Sequence, residues 1–391
     1  MVYLHVPFCR SFCTYCDFYS EIACKGRDAA AIDRWTEEVC AEALSRRKEI
    51  GQTLDLNTLY IGGGTPSVLP LSVLRRVVEC LEKITGAGPR SGRMYEEFTM
   101  EVNPEDIVEK GDEYVRGLLD LGVTRFSMGV QSLDDGILRW MNRRHDAAAA
   151  RKAFDILRSA RRSNPSPTAS LRSAPPSKAG SLPLSRGWRR SCEGFSAGAI
   201  SVDIITGVPG MTESILAETV DEIISWHPEH ISSYQLSVEE GSALAKMIDG
   251  GIAAELDEEQ CRAQYELVCT RLAAAGYHHY EISNWALPGH EAVHNSAYWT
   301  RHPYVGLGPG AHSLIFLKPD GTPAKNGEIQ CRSWNAEALE NWRNDEEGSG
   351  SEILTPEQIR EEEIMLLART AAGPIPEKDW FVADDIIASM I

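Results

Sequence analysis

The stretch CRSFCTYCDFY, residues 9–19, sets three cysteines within eight residues in the spacing C-x3-C-x2-C, just after the extended apolar segment VYLHV (2–6). Thiolates gathered in one loop point to a metal centre. A structural zinc takes four ligands; Cys9, Cys13 and Cys16 give three, and the near fourth, His5, sits within the strand segment. A [4Fe-4S] cubane held by three thiolates keeps one iron open. S-adenosylmethionine (SAM) offers an amino group and a carboxylate to such an iron, and an electron from the cluster cleaves its sulfonium, a form of radical chemistry. The spacing favours the cluster, with zinc as the alternative.

Outward from the cysteines, apolar strand-like runs alternate with helical periodicity. Strands are predicted at 2–6, 58–63, 97–102, 124–130, 199–206 and 230–238. Helices are predicted at 30–50, 71–84, 104–122, near 133–160 and at 212–226. Six strands separated by helices imply parallel crossovers and a barrel or partial barrel, with chemistry at the carboxyl ends of the strands. A further helix is predicted at 257–276, and a last one starts at Thr355, with Pro356 and Gln358 completing a T-x-x-Q capping box.

The strand ends carry the next candidates. IGGGTPS (61–67) lets backbone amides approach a carboxylate, although a tight strand-to-helix turn explains the glycines equally well. It lacks the G-x-G-x-x-G spacing of a dinucleotide site. Glu101 and Asp203 are acids in otherwise apolar strands; they accept from ribose hydroxyls or face a sulfonium, or else form structural bonds. Arg143 is either a fork for a methionyl carboxylate or a solvated helix-end arginine. Asn103 and Gln131 follow strands three and four.

Composition bounds the rest. With 43% hydrophobic and 25% charged residues the 391-residue chain reads as globular, and no apolar run approaches a membrane span of about 20 residues. A net charge of -18 argues against a general nucleic-acid binder, since phosphate backbones need Lys and Arg. No export or lipidation signal is evident, so a reducing, cytoplasmic setting is expected. The seven cysteines outside the motif (Cys24, Cys40, Cys80, Cys192, Cys261, Cys269 and Cys331) are expected to be buried thiols. Residues 158–190 are rich in Ser and Pro, with eight Lys/Arg and no acid, and read as a disordered insertion between helix four and strand five. The expected organisation is a barrel over 1–240, an extension over 241–350, and over 351–391 the start of a helical C-terminal domain cut short at Ile391.

Taken together, YLHVPFCRSFCTYCDFY, LYIGGGTPS, EVNPED, RFSMGVQS, SVDIITGVPG, HNSAYW and YVGLGPGAHS resemble the HemW haem chaperone branch of the radical SAM superfamily, related to oxygen-independent coproporphyrinogen III oxidase. The resemblance implies a partial TIM-like (β/α)6 barrel with a smaller α+β C-terminal domain. It implies cluster ligation by Cys9, Cys13 and Cys16, and SAM contacts from Tyr3, Tyr15, Gly63, Gly64, Thr65, Glu101, Gln131, Arg143 and Asp203. The oxidase-like pattern continues with a cysteine two residues after the third; Phe18 stands there instead. HNSAYW (294–299) matches an H-N-x-x-Y-W motif associated with haem, which makes His294 a candidate axial ligand or half of a structural pair with Asn295. His278, His279, His290 and His312 are weaker candidates, and Tyr298 and Trp299 either stack on a porphyrin or fill core. The implied function is transfer of haem to an unidentified acceptor protein, membrane-associated or not, by a chain with no membrane segment of its own. The alternative is oxidative decarboxylation of porphyrinogen propionates.

Overall fold

The structure, a computed structural model, describes residues 1–16, 21–22, 29–163, 198–239, 242–344 and 348–391. Phe18, Cys24, Cys192 and residues 164–190 of the Ser/Pro-rich segment lie outside these residues. The first residues of that segment, 158–163, are not disordered. They complete the helix Ala147–Ser163, which buries Leu157 and Ala160 in the same stripe as Ala153 and Phe154.

Six parallel strands form the frame: β1 (Val2–Val6), β2 (Thr58–Gly63), β3 (Glu97–Val102), β4 (Arg125–Gln131), β5 (Ala199–Thr206) and β6 (His230–Gln235). They pair in sequence order. The outer layer comprises α1 (Ala29–Ser45), α2 (Leu71–Thr85), α3 (Pro104–Asp120), α4 (Ala147–Ser163), α5 (Glu213–Trp226) and α6 (Glu258–Ala274). Side chains alternate along each strand. Leu59, Ile61, Met100, Met128, Val202 and Ile204 are buried in the apolar core. The alternate positions are polar, and register sets them side by side: Tyr3 against Tyr60, Glu101 against Ser127, and Ser127 against Ser201. An acid in an apolar strand is thus the inner half of a two-faced strand.

The sheet is wider than six strands. A hairpin of β7 (His278–Glu281) and β8 (Asn284–Ala286) adds antiparallel to β6. At the other edge β9 (Val305–Leu307) lies parallel to β1, with Val2 opposite Val305 and Leu4 opposite Leu307. Between them runs α7 (Val293–Trp299). Part of the 241–350 extension is therefore built into the barrel sheet. A separate antiparallel sheet follows, of β10 (His312–Leu317), β11 (Ile329–Trp334) and β12 (Gly350–Ile353). Then comes α8 (Pro356–Ala368), which opens with the Thr355–Gln358 capping box. A small second core of Ala368, Ile375, Trp380, Ala383 and Ile387 ends the chain's packing.

Among the cysteines expected to be buried, Cys331 is; Cys40, Cys80, Cys261 and Cys269 are only half-buried. Among the described residues no helix is long and apolar enough to cross a membrane.

Candidate functional site

Each strand delivers its chemistry where its hydrogen-bonded run ends. The cysteine loop leaves β1 and is pinned from two sides. The Thr14 amide donates to Met141 O at 3.2 Å, the Thr14 carbonyl accepts from Leu244 N at 2.8 Å, and Asn142 Nδ2 donates to Phe12 O at 2.6 Å. Cys9, Cys13 and Cys16 are half-buried and face one cavity of about 590 Å³. Among the described residues no three His, Cys, Asp or Glu side chains converge tightly enough to chelate a single ion. His5 is engaged elsewhere, its Nδ1 3.1 Å from Tyr3 OH.

The glycines at the end of β2 form the cavity's second wall, and their role is steric. At Gly63 φ is +103°, and a Cβ would stand 2.6 Å from the His5 ring; at Gly64 it would stand 2.9 Å from Phe8 O and 3.1 Å from Cys9 Sγ. Only glycine lets this turn pass so close to the cysteine loop. Thr65 Oγ1 then lies 3.2 Å from Cys9 Sγ and accepts from Asn103 Nδ2 at 3.3 Å.

Glu101 and Asp203 line the cavity from β3 and β5. Glu101 Oε1 accepts from Tyr60 OH at 2.8 Å, and burial together with the Asp203 charge pushes the Glu101 carboxyl up to about 7 against that bond. Asp203 accepts from Ser127 Oγ at 2.7 Å and Ser201 Oγ at 3.3 Å; burial still raises it. Two neighbouring carboxyls short of compensating positive charge suit hydroxyls or a cationic ligand.

Arg143 crosses from the segment before α4. Its Nη2 donates to Asn103 Oδ1 at 2.8 Å and Gly129 O at 2.9 Å, and its Nη1 points at Cys13 Sγ, 3.6 Å away. Burial works against its charge, and Tyr15, Cys13 and Glu105 outweigh burial and keep it protonated. Among the described residues its buried Nε has no partner, and neither has the buried Gln131 Oε1. Gln131 is also a backbone outlier, with φ +67° at an irregularity in the β4–β5 ladder. Strain of this kind in a non-glycine residue clusters at functional sites. Tyr15 completes the lining.

The structure thus gathers in one cavity all the expected cluster and SAM residues but Tyr3. That residue lies behind the wall, bonded to His5 and packed on Tyr60 with ring centroids 6.0 Å apart. Sequence reasoning passed over Tyr60, Ser127 and Tyr234, which also line the cavity. The signal was available: Tyr60 and Ser127 occupy the same inward alternation as Glu101.

His294 stands apart. It is 1% exposed, with Nδ1 2.8 Å from Thr58 Oγ1 and Nε2 3.1 Å from Tyr298 OH. Thr58 is the first residue of β2, so His294 lies at the amino end of the barrel, opposite the cavity. Both ring nitrogens are spent on protein and none faces an axial ligand position. His294 is therefore a packed core histidine in this structure. Asn295 pairs with Glu281, its Nδ2 3.2 Å from Oε1. Among the weaker candidates, His279 stacks on Trp285 at 4.0 Å and holds Glu377, whereas His278 and His312 are exposed.

Comparison with known proteins places this geometry. Residues 3–169 match the model of the Radical SAM superfamily. The chain is 31% identical to heme chaperone HemW of Synechocystis sp. over 376 residues, 95% of this chain and 78% of that protein. To heme chaperone HemW of Bacillus subtilis it is 29% identical over 371 residues, 94% of this chain and 83% of that protein. Among solved structures, coproporphyrinogen III oxidase (HemN) from Escherichia coli, a radical SAM enzyme, aligns with a TM-score of 0.64 at 19% identity. That alignment covers 93% of this chain and 74% of HemN, and the likeness is one of fold.

Proposed function

The chain belongs to the HemW heme chaperone family of the radical SAM superfamily, and on that premise we propose that it binds a [4Fe-4S] cluster, SAM and haem and hands haem to an acceptor protein in the cytoplasm or at a membrane. The observation that carries the cofactor part is the single cavity at the strand ends. It collects Cys9, Cys13 and Cys16 with Gly64, Arg143 and the two carboxyls, Glu101 and Asp203.

The residues fit the cofactors. Three thiols facing one cavity, with Arg143 Nη1 3.6 Å from Cys13 Sγ, suit an anionic cluster that needs a nearby positive charge. When bound, the cluster supplies one electron and one open iron to the methionyl end of SAM. Cys9, Cys13 and Cys16 hold three irons. Arg143 Nε, without a partner among the described residues, takes the methionyl carboxylate, and Gln131 Oε1 accepts from its amino group; the Gly64 and Thr65 amides are already bonded to Val6 O and Phe8 O. Glu101 and Asp203 accept from ribose hydroxyls. Tyr15, half-buried in the cysteine loop, keeps water from the thiolates.

The haem part rests on family membership. Haem binding that does not use His294 is expected, because ligation through either ring nitrogen would first have to break its bond to Thr58 or Tyr298 and open a site that is 1% exposed. The test is anoxic reconstitution followed by iron and sulfide analysis, haem titration, and incubation with coproporphyrinogen III. Four irons per chain, a saturable Soret change and no protoporphyrinogen are expected. Decarboxylation at enzyme-like turnover would replace the chaperone reading with the oxidase one, and zinc in place of iron would end both. In His294→Ala, unchanged haem affinity is expected; loss of the Soret change from a folded variant would restore His294 as ligand.

A further inference from the structure

Outside the cavity, the seam between α1 and α2 holds two thiols that the proposed function does not use. On α1, Asp33, Glu37 and Cys40 follow one another at helical spacing; on α2, Arg76, Cys80 and Lys83 do the same. The two stripes face each other in parallel. Arg76 Nη1 meets Asp33 at 2.7 Å, and Arg76 Nη2 lies 3.9 Å from Glu37. One turn further on, Cys80 Sγ lies 3.7 Å from the Cys40 carbonyl oxygen, which sets the two cysteines beside each other across the seam. Below them the seam is closed by Val39, Ala43, Val77 and Leu81, so the pair sits on the wet edge of a tightly packed interface and is half-buried.

We propose that Cys40 and Cys80 form a redox modification site that a peroxide converts into a disulfide joining α1 to α2. Two cysteines side by side across a packed helix pair, one sulfur 3.7 Å from the other's carbonyl oxygen, need little backbone movement to bond. Partly exposed thiols beside Arg76 and Lys83 have the electropositive surroundings of reactive cysteines. The roles divide between them. The Cys40 side chain brings the Cys80 thiol down to about 7 against the effect of burial, with Lys83 helping; the Cys80 side chain and burial push Cys40 up. Cys80 is the attacking thiolate and Cys40 the resolving thiol.

The chemistry balances. The Cys80 sulfur attacks one oxygen of hydrogen peroxide: an S–O bond forms, the O–O bond breaks, and the departing hydroxide takes a proton to become water. The Cys40 sulfur then gives up its proton and attacks the Cys80 sulfenic sulfur. The S–S bond forms, the S–O bond breaks, and the second hydroxide leaves as water with that proton. The two thiols lose two electrons, and the peroxide accepts them. The cross-link fixes α1, whose Trp35 ring packs edge-on against Phe8, the neighbour of Cys9, with centroids 5.9 Å apart.

Tryptic mapping reads the site directly, because WTEEVCAEALSR (35–46), VVECLEK (77–83) and the two cluster-loop peptides, MVYLHVPFCR (1–10) and SFCTYCDFYSEIACK (11–25), are all distinct. The reconstituted full chain is treated with hydrogen peroxide, blocked with N-ethylmaleimide, and digested without reductant for mass spectrometry. The two peptides are expected as one species, lighter by two hydrogens and split by dithiothreitol. In Cys40→Ser, dimedone is expected to label Cys80 and no link to form. In Cys80→Ser, Cys40 is expected to stay unlabelled. Separate, maleimide-blocked 35–46 and 77–83 peptides after peroxide, or a link from either to another cysteine, would overturn the proposal.

Discussion

The amino end of the barrel rests on one buried ion pair, and replacing Glu97 by Gln tests how much it holds. Glu97 opens β3 and Arg125 opens β4; both side chains are sealed, at 0% and 2% exposure. The carboxylate accepts from Arg125 Nε at 3.1 Å and from the first amides of α7, Val293 N at 3.0 Å and His294 N at 2.9 Å. Arg125 Nη2 in turn donates to His290 O at 2.8 Å and Glu291 O at 3.3 Å. Glutamine keeps the shape but removes the charge, and its NH2 must face either a guanidinium or a backbone N–H. Losing two charge-assisted hydrogen bonds costs about 1.5–3 kcal/mol each. Stripping a buried charge of its partner costs about 3–5 kcal/mol in total, and the two figures describe the same loss. Against a typical stability of about 5–15 kcal/mol this is a large fraction. Urea denaturation followed by circular dichroism should give a Glu97→Gln loss of about 3–5 kcal/mol. Glu97→Leu combined with Arg125→Met removes both charges but leaves the Val293 and His294 amides and the His290 and Glu291 carbonyls without these partners, so it should not recover the loss. A loss below about 1 kcal/mol in Glu97→Gln would refute the idea that this pair anchors α7.

Three further outcomes are expected. Gly63→Ala places a methyl group against the His5 ring at a φ of +103°; it should lower stability by about 1–3 kcal/mol, and calorimetric SAM titration should weaken with it. Because Glu101 keeps its proton to about 7 when folded and loses it near 4.5 when unfolded, the folded state binds more protons in that window. Cofactor-free protein should therefore be most stable below pH 4.5, as far as this group is concerned, and lose about 2–3 kcal/mol as pH rises through 7, allowing for its partial exposure. Asp203 acts in the same direction, so the readout is the difference between wild type and Glu101→Gln, in which this slope should flatten. Replacing any one of Cys9, Cys13 and Cys16 by Ala should abolish the visible absorbance of reconstituted protein and leave far-ultraviolet circular dichroism unchanged.

Local signals carried the barrel. TLYIGG, EFTMEV and AISVDIIT became strands over the very residues that their β-branched and apolar runs marked. The cysteine spacing and the glycines at the end of β2 likewise marked one end of one cavity before any packing was known. What escaped was non-local. β9 is three residues long, and its partner β1 lies some 300 residues earlier in the chain, so no periodicity reveals it. His294 reads as a ligand from its motif, but Thr58 and Tyr298 claim its nitrogens only once β2 and α7 meet. The left-handed Gln131 backbone belongs to a ladder irregularity, which residue identity does not encode.

The contact of β9 with β1 has a bearing on biosynthesis. The strand that leads into the cysteine loop is completed on one side by β2 and on the other by residues 305–307. At about 5–20 residues per second of translation, roughly 12–50 s separate the emergence of these two neighbours. Throughout that interval the nascent chain presents an unpaired edge next to three uncoordinated thiols. A ribosome that stalls short of β9 leaves a product whose β1 edge, just before the cysteine loop, is unpaired and open to another strand.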